Sequence, residues 1–257
     1  MKAQEIYLHF KRSLSKGFDI VHPFKVGAYN AVVRHEYQLP HYNHKNTFGI
    51  IIGNSKYLWP FFIKELKQNL TLLTHANPLD QYVREAVLTF LDEIEISWQV
   101  FWAEVNAPKR IALQKLAKVS GLADLSPSHL NVHREFGPWI AFRAVIVFDT
   151  EASDDKAPVI NLCEPCSKPC LKPFKIALQK DTWENWLKVR TSCPVGKEYR
   201  YSEDQIRYHY TKDKTVLLRN GRYNGFIFKR CNIARNFVSR SHVTKKAAHY
   251  FATSCFR

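Results

Sequence analysis

The chain has 257 residues, 46% of them apolar, with 12 Pro, 9 Gly and a formal charge of +15. That length supports one large domain or two small ones with a sizeable core, and the scarcity of Pro and Gly argues against a long disordered body. No N-terminal apolar run predicts a secretory leader, and no run of about 18 apolar residues predicts a membrane span. The expected compartment is therefore the reducing cytoplasm, where clustered cysteines read as metal or redox groups before disulfides.

Taken in chain order, residues 2–15 predict an amphipathic helix, with Ile6, Phe10 and Leu14 on one face and Gly17 as its stop. A turn-rich stretch through Pro23 and Pro40 follows; His41 and His44 within it read as surface residues. Residues 47–52 predict a buried strand. Residues 57–70 and 79–93 predict helices, with Pro78 in the first turn of the second. Residues 94–105 alternate as a strand, placing Ile96, Trp98, Val100 and Trp102 on one face. Residues 111–119 predict a helix closed by Gly121, and residues 138–148 contain a strand. Helices and strands thus alternate over residues 1–150, predicting an α/β (α+β) layer. The polar stretch 149–158 is the expected boundary. Beyond it lie all six cysteines, a short helix over 183–190 and another over 202–210, with Ser202 and Gln205 in a capping-box pattern.

After Asp213 no acidic residue occurs, and residues 214–257 carry ten Lys or Arg. Such a basic tail is either a solvated extension or a binder of nucleic acid or an anionic membrane surface. Tyr223, Phe226, Phe228 and Phe237 interleave aromatics through it.

Three stretches carry candidate chemistry. Cys163, Cys166 and Cys170 stand at C-x2-C-x3-C spacing, and Cys193 is the candidate fourth ligand. Four thiolates suit an iron–sulfur cluster or zinc, and the plain alternative is a set of free thiols. Trp183, Trp186 and Arg190 share a short helix, which either stacks a planar cofactor beside an anion clamp or packs its tryptophans in a core. His133–Arg143 reads HisArgGluPheGlyProTrpIleAlaPheArg. There Gly137 permits a tight backbone approach, Trp139 and Phe142 are apolar walls, and a partly buried Arg143 needs an internal carboxylate or an anionic ligand. No GxGxxG, Walker, HExxH or GxSxG motif is present.

In these residues the chain resembles the CblC-type cobalamin-processing family. Gly17-Phe18, Pro23-Phe24-x-Val26, Tyr29-Asn30 and Leu39-Pro40 follow the family's pattern. Asn77–Gln81 is similar to its Asp-Pro-x-Asp-Gln turn, and His133–Arg143 to its His-x-x-Phe-Gly-x-Trp-x-Ala-x-Arg. Arg200-Tyr201-Ser202-Glu203-x-Gln205 with Tyr208 is similar to its Arg-Tyr-Ser-Glu-x-Gln and following Tyr. The matches keep one order from about residue 17 to 210.

The resemblance implies a flavin-nitroreductase-like fold over 1–150, a segment 151–213 that completes the site, and a basic tail 214–257. It implies cobalamin bound in a cavity. The upper ligand would be removed reductively with flavin or by transfer to glutathione, with downstream cobalamin-trafficking proteins or a redox donor as partners. Arg143 and Arg190 resemble arginines that hold glutathione carboxylates. Gly137 and Trp139 resemble cavity-wall positions, and Tyr201 and Tyr208 fall in a matched stretch. Lys118 stands where the family has a cavity histidine, and a lysine does not act as a neutral imidazole at pH 7 unless strongly desolvated.

The cysteines are absent from the animal members and resemble instead those of the epoxyqueuosine reductases. Cys163, Cys166 and Cys170 match the last three of C-x2-C-x2-C-x3-C-P. Ile160 stands for the first and Leu171 for the Pro. The implied cluster is a single 4Fe-4S group with Cys193 as substitute ligand. A cobalamin carrier without turnover and a cluster-bearing enzyme acting on tRNA are the alternatives.

Overall fold

The structure is a computed structural model that describes residues 1–105 and 110–220. The tail beyond residue 220, with Cys231, Cys255 and the interleaved aromatics, lies outside the described residues.

The elements run α1 (Ala3–Lys11), β1 (Ile20–Lys25), α2 (Val26–Asn30), β2 (Thr47–Asn54), α3 (Leu58–Gln68), α4 (Pro78–Leu91), β3 (Trp98–Trp102) and α5 (Leu113–Val119). They continue through β4 (Ala123–Leu125), β5 (Asn131–His133), β6 (Ala141–Glu151), α6 (Leu171–Gln179), α7 (Trp183–Thr191), α8 (Glu203–Thr211) and α9 (Thr215–Asn220). Four strands form an antiparallel sheet in the order β1-β2-β6-β3, and β4 pairs with β5 in a separate hairpin. The α+β expectation holds.

Every residue of β2 is buried, because helices cover both faces of the sheet. Phe48, Ile50 and Ile52 point into one core with Ala144, Ile146 and Phe148 of β6 and with residues of α1, α3 and α4. Ile51, Val145 and Val147 point into the other core, against α2 and α5. Ile96, Trp98, Val100 and Trp102 all join the first core, as their period-two spacing predicts, and Phe101 joins the second. β6 continues past the expected boundary to Glu151. Tyr208, Val216 and Leu217 pack into the first core, so the stretch expected to open a tail at residue 214 begins with a docked helix.

One local expectation fails. Leu14 is 57% exposed, because the chain tightens into a 3-10 turn over Arg12–Lys16 and leaves the α-helical face that buries Ile6 and Phe10. Gly17 ends that turn at φ 89°. Trp183 and Trp186 do not share one packing partner. Trp186 stacks edge-on against Phe174 of α6, and Trp183 packs with Tyr210 of α8.

Candidate functional site

Arg143 sits at an irregularity in the sheet. Ile52 pairs with Ala144 and Gly53 with Phe142, so Arg143 is the extra residue of a bulge between β2 and β6. A bulge shifts the strand's inside–outside alternation and re-aims the side chain. The guanidinium is only 13% exposed. Its Nε donates to Asn54 Oδ1 at 2.7 Å, and its Nη1 lies 3.5 Å from Asp80 Oδ1 in the first turn of α4. Asn54 is fully buried and donates its own amide to the Ser55 carbonyl. The internal carboxylate that a buried Arg143 requires is therefore Asp80, and two separated motifs, 77–81 and 133–143, meet in that pair.

Arg190, in the last turn of α7, places its guanidinium 5.7 Å from the ring centres of Trp139, Tyr201 and Tyr210. Its Nη1 approaches His209 Nε2 at 3.4 Å. Trp139 stands edge-on to Tyr201 at 5.5 Å and is almost fully buried. Burial pushes the Tyr201 phenol up to about 12, against the lowering pull of Arg190 and Arg143. Its hydroxyl has no hydrogen-bond partner among the described residues. Tyr208 is also raised by burial; its oxygen accepts a long bond from the Leu79 N–H, and its ring packs on Trp59. Lys212, in a left-handed conformation after α8, holds its ammonium 5.6 Å from the Tyr208 ring. Burial lowers its pKa, with Asp80 opposing and Arg143 reinforcing the shift. His209 is held neutral by burial and by Arg190, Lys212 and Arg143. Arg143, Arg190, Tyr201 and Tyr208 thus belong to one buried cationic and aromatic cluster.

Gly137 meets the 195–196 turn through its backbone. The His133 and Gly137 N–H groups donate to each other's carbonyls at 2.9 Å. His133 Nδ1 accepts from the N–H groups of Glu135 and Phe136, and the imidazole stacks on the Phe136 ring at 4.6 Å. Desolvation holds His133 down at about 4, so it stays the neutral acceptor that this turn needs. Gly137 adopts φ +57°, and a Cβ there would lie 2.0 Å from the Val195 carbonyl oxygen. Gly196, at φ +67°, meets Phe136 as closely from the other side.

Lys118 lies apart from the cluster. It is 60% exposed and pairs with Asp124 at 3.7 Å. Burial alone would raise the Asp124 carboxyl, but the N–H groups of Cys163, Leu162 and Leu125, together with Lys118, hold it low. Asp124 Oδ2 thereby fastens the start of the cysteine loop, accepting from Leu162 and Cys163 at 3.0 and 2.9 Å.

Cys163, Cys166, Cys170 and Cys193 all line one small cavity of about 20 Å³, together with Pro138, Val189 and the β4–β5 loop. All four are free thiols. Burial first, then Asp124 and the neighbouring thiols, pushes Cys163 up to about 12, and burial also raises Cys193. Among the described residues no three His, Cys, Asp or Glu side chains already stand as the ligands of an ion.

A second, open groove of about 520 Å³ lies at the far end of the sheet, between α1, β1 and residues 152–158. Sequence reasoning assigned no role to Asp80, Asn54, His209, Lys212 or Asp124. Only Asp80 carried a signal, its place in the Asn77–Gln81 turn. The others become neighbours through tertiary contact alone.

A central antiparallel sheet with helices on both faces, completed by a C-terminal segment that walls a cationic–aromatic cluster, is the flavin-nitroreductase-like α+β arrangement. The crystal structure of CblC, a B12-trafficking protein of C. elegans, superposes with a TM-score of 0.71 at 18% identity, covering 87% of this chain and 98% of that one. The chain belongs to the methylmalonic aciduria and homocystinuria type C family, whose model matches residues 17–218. The zebrafish (Danio rerio) protein named cyanocobalamin reductase / alkylcobalamin dealkylase is 28% identical over 251 residues, covering 86% of this chain and 95% of its own. The chicken (Gallus gallus) protein of that name is 27% identical over 217 residues, covering 76% and 87%. An epoxyqueuosine reductase of Bacillus subtilis shares the fold at a TM-score of 0.50 and 10% identity, covering 85% of this chain and 80% of that one. Among the described residues no helix is long and apolar enough to cross a membrane.

Proposed function

We propose that this protein binds cobalamin and removes its upper ligand, using the Arg143–Arg190 cluster to hold an anionic thiol such as glutathione. The observation that carries the reading is the convergence of Arg143, Arg190 and Lys212 on His209, with Arg190 over the rings of Trp139, Tyr201 and Tyr210, Asp80 as the carboxylate beside Arg143, and a buried Tyr201 hydroxyl left to donate. Guanidinium groups set beside buried aromatic rings suit the carboxylates of such a thiol. In alkyl transfer the thiolate sulfur forms a bond to the alkyl carbon while the cobalt–carbon pair stays on cobalt. The cluster's part is to orient the thiol and exclude water from it. Reduced flavin is the alternative electron source for removing a cyano ligand.

Mixing the purified chain anaerobically with methylcobalamin and glutathione tests this. The expected result is a cob(I)alamin spectrum together with S-methylglutathione. Arg190→Ala should raise the glutathione KM at least tenfold while leaving cobalamin binding in place. An unchanged cobalamin spectrum on mixing with the native chain would sink the reading. The carrier alternative draws support from Lys118, which pairs outward with Asp124 and offers no imidazole; tight cobalamin binding without ligand loss would select it.

A further inference from the structure

We propose that Cys163, Cys166, Cys170 and Cys193 form a tetrathiolate site for one zinc ion, which staples the loop before α6 to the turn after α7. The four cysteines come from three stretches of chain: the loop before α6, the N-terminus of α6 and the turn after α7. They nevertheless line one cavity, whose wall also includes Ser126, Ser128, Leu130, Pro138 and Val189. Zinc is the fitting ion, because it takes four thiolates tetrahedrally at about 2.3 Å and closed sites of this kind are structural.

The local backbone supplies a second, independent observation. The Lys168 N–H points at Cys166 Sγ from two residues on, at 3.4 Å, and Lys168 adopts φ 57° to do so. The Val195 N–H bonds to Cys193 from the same two-residue offset, and the left-handed Gly196 follows in Cys-Pro-Val-Gly. Both sulfurs therefore face backbone N–H groups of the loops that line the cavity. A cysteine side chain turns on one torsion, so rotamer changes move the four sulfurs within the cavity that they share.

The staple also bears on the cationic cluster. On α7 the cavity is lined by Val189, and the next residue is Arg190. Along the other chain Pro138 lines the cavity and Trp139 packs in the cluster. The zinc therefore makes Cys163, Cys166, Cys170 and Cys193 positioning residues for Arg190; this last step rests on the proposed function, and the metal site itself does not.

The full chain, purified anaerobically from zinc-supplemented cells, should contain one zinc, no iron and no acid-labile sulfide, and should be colourless. Titration with an organomercurial in the presence of a zinc-binding dye should release that zinc as four thiols react. Cobalt(II) exchanged into the site should give sulfur-to-cobalt charge-transfer bands and tetrahedral d–d bands. Cys166→Ser and Cys193→Ser should each lower zinc affinity at least tenfold, whereas the Cys231→Ser/Cys255→Ser double variant should retain the full equivalent. Because the mercurial titration uses the native chain, failure of the variants to fold does not blunt the test. A metal-free chain, iron with sulfide in stoichiometric amounts, or loss of zinc in the double tail variant would each overturn the proposal. A zinc-replete chain that ignores cobalamin would overturn the functional reading and leave the metal site standing.

Discussion

Arg143 is held by one neutral and one charged partner in a space nearly closed to water. Truncating it takes the paired guanidinium from the Asp80 carboxylate, itself 17% exposed, and leaves Lys212 as the remaining cation. Breaking a buried pair from one side costs on the order of 3–5 kcal/mol, more than the pair contributes when intact. Arg143→Ala should therefore lose about that much in urea unfolding. The Arg143→Ala/Asp80→Ala double variant should lose clearly less than the sum of the single changes. His133 acts at the same scale through its protonation state. Its folded pKa of about 4 lies below the ordinary value of 6.5, so between those pH values the unfolded chain binds more protons and stability falls as pH falls. His22 and His209 are shifted in the same direction, mainly by burial, and add to the slope. His133→Asn keeps an acceptor near Nδ1 without a titrating proton. It should flatten the acid limb of a stability-versus-pH curve between pH 6.5 and 4, by at most about 1.4 kcal/mol per pH unit.

Among the elements, the crossing of the 136–137 turn with the 195–196 turn sets where α7 stands relative to β6. The two backbones touch there because both glycines lack a Cβ and both take positive φ. Gly137→Ala or Gly196→Ala would drive a methyl group into backbone, not into a flexible side chain. Each should destabilise by more than about 2 kcal/mol, read as a fall in Tm, and should weaken glutathione use by moving Arg190. Gly27 is the control. It lies exposed in α2 with nothing nearer its missing Cβ than the Lys45 carbonyl at 3.9 Å. Gly27→Ala should be neutral or stabilising by up to about 1 kcal/mol. α7 also shows how helical spacing divides labour. At about 100° per residue, Arg190 lies within roughly 20° of Trp183 and 40° of Trp186, and the neighbouring helices part the two tryptophans. Trp186 goes to α6, while Trp183 and Arg190 go to α8.

For the molecule as a whole, ligands that bind only the folded chain raise its stability by mass action, about 2.7 kcal/mol at a hundred times Kd. Cobalamin and glutathione should each raise Tm. Arg190→Ala should abolish the glutathione increment and keep the cobalamin one, measured by thermal unfolding at fixed ligand concentration. What could be read from residue order was whatever depends on neighbours a few positions apart. Alternating residues put Trp98, Val100 and Trp102 on one face, Pro78 opens α4, Gly17 and Gly121 stop their turns, and the ordered motifs indicate the family. Leu14 escaped that reading because a switch to 3-10 geometry rotates it outward. Sequence alone thus determined the α+β class, the family resemblance and the side chains able to carry charge or bind metal. Tertiary structure alone decided that Asp80 answers Arg143, that His209 and Lys212 join the arginines, that Lys118 turns away to Asp124, and that Cys193 meets three cysteines more than twenty residues earlier in the chain. The physical reason is range: local propensity and periodicity act over a turn or two of chain, whereas a buried charge or a shared cavity depends on which distant segments the core brings together.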